Sequence, residues 1–181
     1  HRREEGRCRD AEGAPEVSLR QEDEDHGQRQ RPERDGDLKG IAMAAGGTGG
    51  HLYPALAVAD ALAELAPDIP VHFTGTADHL EARVVPAAGW PFTPVPAAPF
   101  PRRADAAASD RMLAGLACRV AVGFGAYLTV APLLMAARRG IPVVLHEANA
   151  HPGMANRLLG RWASHVLVSH EEAMPRFAGR K

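Results

Sequence analysis

The feature that most constrains this chain is Ala45-Gly46-Gly47-Thr48-Gly49-Gly50-His51, four glycines in seven residues set between two apolar segments. Before it, Leu38 to Ala44 is short, mostly apolar and interrupted only by Lys39 and Gly40, which predicts a buried strand. After it, Tyr53 to Leu65 places Leu56, Ala59, Leu62 and Ala63 on one helical face, with Pro54 tolerated in the first turn. A chain passing from strand to helix through such a loop turns sharply and exposes backbone N–H groups, which glycine permits. The start of a helix carries partial positive charge, so a glycine loop feeding it suits phosphate or another anion. The bland alternative is a tight turn with no ligand. Two phosphate-binding patterns are excluded by spacing: no Gly-Lys-Ser/Thr follows, and the glycines do not fit G-x-G-x-x-G.

Downstream, strand and helix signals alternate. Val71 to Gly75 reads as a second strand, and Asp78 can cap a helix from about His79 to Ala88 that stops at Gly89. Phe92 to Val95 is a third strand, which Pro94 moves to an edge position. A proline-rich loop from Pro96 to Arg103 carries Phe100 and Arg102-Arg103, and residues 105 to 118 form an alanine-rich helix. Val120 to Phe124 is a fourth strand, and Gly125-Ala126-Tyr127 turns into a helix from about Thr129 to Arg139, ended by Gly140. Ile141 to Leu145 is a fifth strand delivering His146-Glu147-Ala148-Asn149, Pro152 opens a helix to about Ala163, and His165 to Ser169 is a sixth strand. The fold class is therefore α/β, a Rossmann-like doubly wound parallel sheet with helices on both faces. The loops at 46–51, 123–127 and 146–151 all follow strands, so they converge on the carboxyl edge where such sheets bind ligands.

Residues 1–37 are rich in Arg, Glu, Asp and Gln, with Val17 and Leu19 their only large aliphatics. Such a tail buries too little apolar surface to offset its ordering entropy and is expected to be disordered, leaving 38–181 as the folded domain. A formal net charge of −1 offers no electrostatic case for nucleic acid. Cys8 and Cys118, far apart and without metal-ligand spacing, suggest a reducing compartment, and the histidines show no metal pattern. No apolar run approaches membrane-spanning length, so any membrane contact is expected to be peripheral.

Gly46-Gly47-Thr48-Gly49-Gly50-His51, followed after two residues by Pro54-Ala55-Leu56-Ala57-Val58-Ala59, resembles the first glycine loop of the MurG family. These are bacterial N-acetylglucosaminyltransferases that complete the lipid-linked peptidoglycan precursor. Gly123-Phe124-Gly125-Ala126-Tyr127 resembles the family's second glycine loop, with Ala126 where a glycine is usual. If that position needs positive φ, the added Cβ strains the loop. Ile141 to Asn149, then Pro152-Gly153-Met154-Ala155-Asn156-Arg157, resembles a third family segment, with Ala148 in place of glutamine. The resemblance spans about residues 38 to 170 and implies the amino-terminal, acceptor-side half of a GT-B glycosyltransferase. The carboxyl-terminal donor domain is then missing beyond Lys181, and the chain alone is expected to have little or no activity.

The resemblance further implies UDP-N-acetylglucosamine as donor and an undecaprenyl-diphosphate-linked muramyl-pentapeptide as acceptor. No cofactor or metal is implied, and the enzyme lies peripherally on the inner face of the cell membrane. Phe100 with Arg102-Arg103 could touch that anionic surface. Thr48, Gly49 and Gly50 would line the sugar-nucleotide site with Asn149 contacting the donor, while the glycine loops, including Gly47, Gly123 and Gly125, would embrace the diphosphate of the lipid acceptor, with Tyr127 and Glu147 near the reacting sugar. Sugar transfer to a hydroxyl needs a base and stabilisation of the departing diphosphate. His51 stands where the positive end of a helix favours the neutral imidazole a base requires, and Glu147 is the rival base. Two readings stay open beside this one: a non-catalytic acceptor-binding subunit of a split glycosyltransferase, and a related transferase of secondary metabolism.

Overall fold

A computed structural model describes residues 40–98 and 103–177. The expected tail 1–37, Leu38, Phe100 and Arg102 lie outside the described residues. Among the described residues six strands are present: β1 (Ile41–Ala44), β2 (Val71–Gly75), β3 (Phe92–Pro94), β4 (Val120–Gly123), β5 (Val143–Glu147) and β6 (His165–Val168). They alternate with α1 (Gly49–Leu65), α2 (Glu81–Ala87), α3 (Arg103–Gly115), α4 (Val130–Arg138) and α5 (Met154–Leu159). Short 3-10 turns cover Tyr127–Thr129 and Glu171–Phe177.

All strand pairs are parallel, and the spatial order is β3-β2-β1-β4-β5-β6. The doubly wound expectation therefore holds, with β3 at an edge as Pro94 required. Winding runs outward from β1 in one direction and from β4 in the other. The two strands are neighbours, so the loops that leave them open a crevice at the point where the order reverses.

Side chains alternate across the sheet. Met43 joins Leu52, Ala55, Ala59, Phe73, Val85 and Trp90 in a core beneath α1 and α2. Its neighbour Ala42 joins Leu113, Ala121, Leu133, Val143, Leu145 and Leu159 beneath α3, α4 and α5. Both faces are thus covered, which is why these strands read as continuous apolar runs rather than alternating ones.

Several expected boundaries shift. Helix α1 begins at Gly49, with Thr48 as its N-cap, so Pro54 lies in the second turn rather than the first. The apolar pattern starts at Tyr53, but the backbone coils as soon as the glycine loop has turned. Asp78 does not cap α2; the N-cap position is Leu80, with no side-chain cap. Strand β5 runs to Glu147, two residues past the expected end, and α5 is shorter than the span from Pro152 to Ala163.

Candidate active site

The first glycine loop crosses from β1 to α1 with Gly46 at φ +150° and Gly47 at φ +79°, conformations that side chains resist. What holds it there is Glu81, fully buried at the start of α2. Its carboxylate accepts hydrogen bonds from the Gly47 N–H (2.9 Å), the Thr76 N–H (2.9 Å) and the Thr76 hydroxyl (2.6 Å). Burial works to raise this carboxyl, but the hydrogen bonds from the Thr76 hydroxyl and from the Gly47, Glu81 and Thr76 N–H groups outweigh it. Its pKa is held below the ordinary carboxylate range. A Cβ on Gly46 would lie 2.3 Å from Glu81 Cδ, and one on Gly75 2.5 Å from Glu81 Cγ, so both glycines make room for this carboxylate. With Gly47 engaged, the N–H groups of Gly49 and Gly50 at the helix start have no partner among the described residues.

His51 stands in the first turn of α1. Its Nδ1 lies 3.1 Å from the Thr48 hydroxyl. Its other edge faces the second glycine loop: a Cβ on Gly125 would meet His51 Cδ2 at 2.9 Å and Nε2 at 3.0 Å. Gly125 has φ +95°, so glycine is required there on both counts. A Cβ on Gly47 would sit 3.7 Å from Ala126 Cβ, so the two loops lie side by side at the switch point. Ala126 takes φ 66°, ψ 159°, a region that strongly favours glycine. The expected strain at this position is therefore present. Tyr127 follows, and its hydroxyl lies 3.3 Å from His79 Nε2 in the loop after β2.

The third loop is built on Glu147, which is 3% exposed. One carboxylate oxygen accepts from the Asn149 N–H (3.0 Å) and side-chain amide (2.9 Å); the other accepts from the Gly153 N–H (3.2 Å) and the Asn156 amide (3.0 Å). Glu147 is therefore a buried clamp for residues 147–156, and Asn149 is an exposed residue oriented by it. Asn156, 2% exposed, also donates to the His146 carbonyl (3.0 Å), and its amide nitrogen lies 3.7 Å from where a Cβ on Gly125 would stand. His146 packs its ring against Phe124 at 5.4 Å, and burial pushes its imidazole pKa down against the opposing pull of the Glu147 charge. Asn156 Oδ1 and His146 Nδ1 are buried without a hydrogen-bond partner among the described residues.

Gly47, Thr48, Gly49, Gly50, His51, Gly125 and Tyr127 thus gather around one crevice, with Glu147 and Asn149 joined to it through Asn156. Gly123 does not face it: a Cβ there would lie 2.2 Å from Leu133 Cδ1, so this glycine serves packing beneath α4. Beyond the loop after β2 is a cavity of about 340 Å³ lined by Thr76, Asp78, Val95, Pro96, Ala97, Ala98 and Asp105. Among the described residues, no three His, Cys, Asp or Glu side chains are placed to share a metal ion. Glu81, Asn156 and His79 were not singled out by sequence. Glu81 left one signal, a carboxylate four residues before Val85 on the buried stripe of a helix.

The glycosyltransferase family 28 N-terminal domain matches residues 41–168, the span that holds all three loops. The chain belongs to this family. Among relatives of this family-28 domain, it is 44% identical over 147 residues to a Salinibacter ruber protein, covering 74% of this chain and 40% of that one. It is 46% identical over 141 residues to one from Clavibacter michiganensis, covering 70% and 38%. Both are named UDP-N-acetylglucosamine–N-acetylmuramyl-(pentapeptide) pyrophosphoryl-undecaprenol N-acetylglucosamine transferase. The crystal structure of Acinetobacter baumannii MurG superposes with a TM-score of 0.67 at 34% identity, covering 73% of this chain and 41% of that chain. A Streptomyces glycosyltransferase, SsfS6, shares the fold at a TM-score of 0.52 and 16% identity, covering 70% of this chain and 44% of that one. The family-28 domain described here spans about two fifths of the length of its relatives.

Proposed function

We propose that this chain is the acceptor-side half of an N-acetylglucosaminyltransferase that uses UDP-N-acetylglucosamine and a lipid-linked muramyl-pentapeptide diphosphate in peptidoglycan synthesis. The observation that carries the reading is His51 set against Gly125 at the switch point, beside the N–H groups of Gly49 and Gly50, which have no partner among the described residues. Diphosphate oxygens fit those donors and the positive end of α1. The acceptor hydroxyl meets His51, which takes its proton as that oxygen bonds to the sugar carbon and the bond to UDP breaks. Attack opposite the leaving group inverts the anomeric carbon, and the helix start offsets phosphate charge without a metal ion. Glu147 is the rival base. Both its oxygens are already engaged and it is buried, which favours His51 as base and Glu147 as the residue that positions Asn149. Among the described residues no helix is long and apolar enough to cross a membrane, and in this reading the lipid acceptor draws the protein to the inner membrane surface.

The test is transfer of labelled N-acetylglucosamine to a lipid-diphosphate acceptor. The chain alone, the chain with a separately made carboxyl-terminal domain of a relative, and that pair carrying His51→Ala would be compared. The expected result is transfer by the pair only, lost with His51→Ala while melting and acceptor binding persist. A pair that binds acceptor but transfers nothing would sink the catalytic reading and leave an acceptor-binding subunit.

A further inference from the structure

In the sheet, β2 and β4 flank β1 on opposite sides. Neighbouring strands lie about 4.8 Å apart, so the loops after β2 and β4 can touch only by reaching across the carboxyl end of β1. That end is the first glycine loop. The contact that makes the crossing is His79 Nε2 to Tyr127 Oη at 3.3 Å. Asp78 Oδ1, 4.0 Å from His79 Nδ1, faces the other ring nitrogen, leaving Nε2 for the phenol.

The remaining links complete a circuit. Glu81 fastens Gly47 to Thr76 and so ties the β1 and β2 loops together. His51 against Gly125 ties the β1 and β4 loops at the side. The His79–Tyr127 pair closes the circuit by joining the β2 and β4 loops directly. The Glu81 carboxylate that holds the first loop is buried, whereas His79 and Tyr127 are partly exposed.

We propose that His79 is a positioning residue: it holds the Tyr127 ring across the first glycine loop so that the Tyr127 hydroxyl meets a diphosphate bound at Gly49 and Gly50. This rests on the reading of that loop as a diphosphate site. The experiment therefore has two arms on the chain as it stands. In the first, imidazole nitrogen resonances are recorded with and without Tyr127→Phe, and the His79 Nε2 signal is expected to move. In the second, affinity for inorganic diphosphate is measured for the wild type, His79→Ala, His79→Gln, Tyr127→Phe and the double variant His79→Ala/Tyr127→Phe.

His79→Ala should weaken binding about three- to tenfold, the worth of one net hydrogen bond, with melting unchanged. His79→Gln, whose amide nitrogen reaches a similar point, should recover most of it. The double variant should bind no more weakly than Tyr127→Phe alone, because the two residues act as one unit. Additive losses, or a Gln variant no better than Ala, would overturn the proposal. A wild-type chain that binds no diphosphate would refute the ligand reading. The first arm would then still decide whether His79 positions Tyr127, and an unmoved His79 signal would overturn that as well.

Discussion

Replacing Ala126 by glycine should stabilise this protein, although alanine-to-glycine changes ordinarily do the reverse. Ala126 is held at φ 66°, ψ 159° because its carbonyl accepts from both the Thr129 N–H (3.3 Å) and the buried Thr129 hydroxyl (2.9 Å). An L-residue in this region carries about 1–3 kcal/mol of strain, which glycine does not. Against that stand the extra freedom of glycine in the unfolded chain, about 0.5–1 kcal/mol, and part of one methyl's burial. The net is a gain of about 1 kcal/mol, or roughly 2–4 °C in melting temperature for a chain of this size. Ala61, exposed on α1, is the control: Ala61→Gly should cost about 1 kcal/mol through helix propensity alone. Urea unfolding followed by tryptophan fluorescence would measure both, with unchanged m-values as the check on two-state behaviour. If Ala126→Gly loses stability as Ala61→Gly does, the backbone of the second glycine loop is not strained at Ala126.

Removing the Glu81 carboxylate with Glu81→Ala should cost about 3 kcal/mol, roughly 1 kcal/mol for each of its hydrogen bonds, in the same unfolding assay. Because its folded pKa is depressed, its contribution is complete above the ordinary 4.5 and is lost as pH falls from there through the folded value; Glu81→Gln should flatten that acid limb. His72, whose Nε2 lies 2.7 Å from the Thr93 hydroxyl, has its pKa pushed down by burial. The unfolded chain therefore takes up the proton first, so stability is complete above 6.5 and declines as pH falls below it, and His72→Gln should remove that part of the decline. Gly46→Ala, with its Cβ 2.3 Å from Glu81 Cδ at φ +150°, should lose about 2–4 kcal/mol, whereas Gly153→Ala, with nothing within 4 Å, should be neutral in thermal unfolding.

The order of strands and helices was legible because the signals for it are local. Val71–Gly75 reads as a buried strand from its own residues, and Gly89 and Gly140 mark helix ends because only a few residues accept their φ of +77° and +71°. The first loop was legible for the same reason: Thr48, Gly49, Gly50 and His51 are consecutive, and their placement at a helix start follows from the turn itself. Ala126 could be flagged from sequence, but the strain was only conditional until φ was known. The start of α1 at Gly49 is not legible in the sequence, because an apolar pattern locates the buried stripe of a helix and not its first turn.

Tertiary structure alone decided which loops became neighbours. Glu81 is 34 residues from Gly47, and His79 is 48 from Tyr127, distances over which no local pattern links a donor to its acceptor. Gly123 shows the converse. It looked like part of a glycine motif, yet Leu133, packing down from α4, determines that it is a spacer. Sequence settled what each loop could offer: N–H groups, an imidazole, a carboxylate. Strand order settled what each met, because a contact between loops requires their strands to lie side by side or within reach across one another, and that order is a property of the whole sheet.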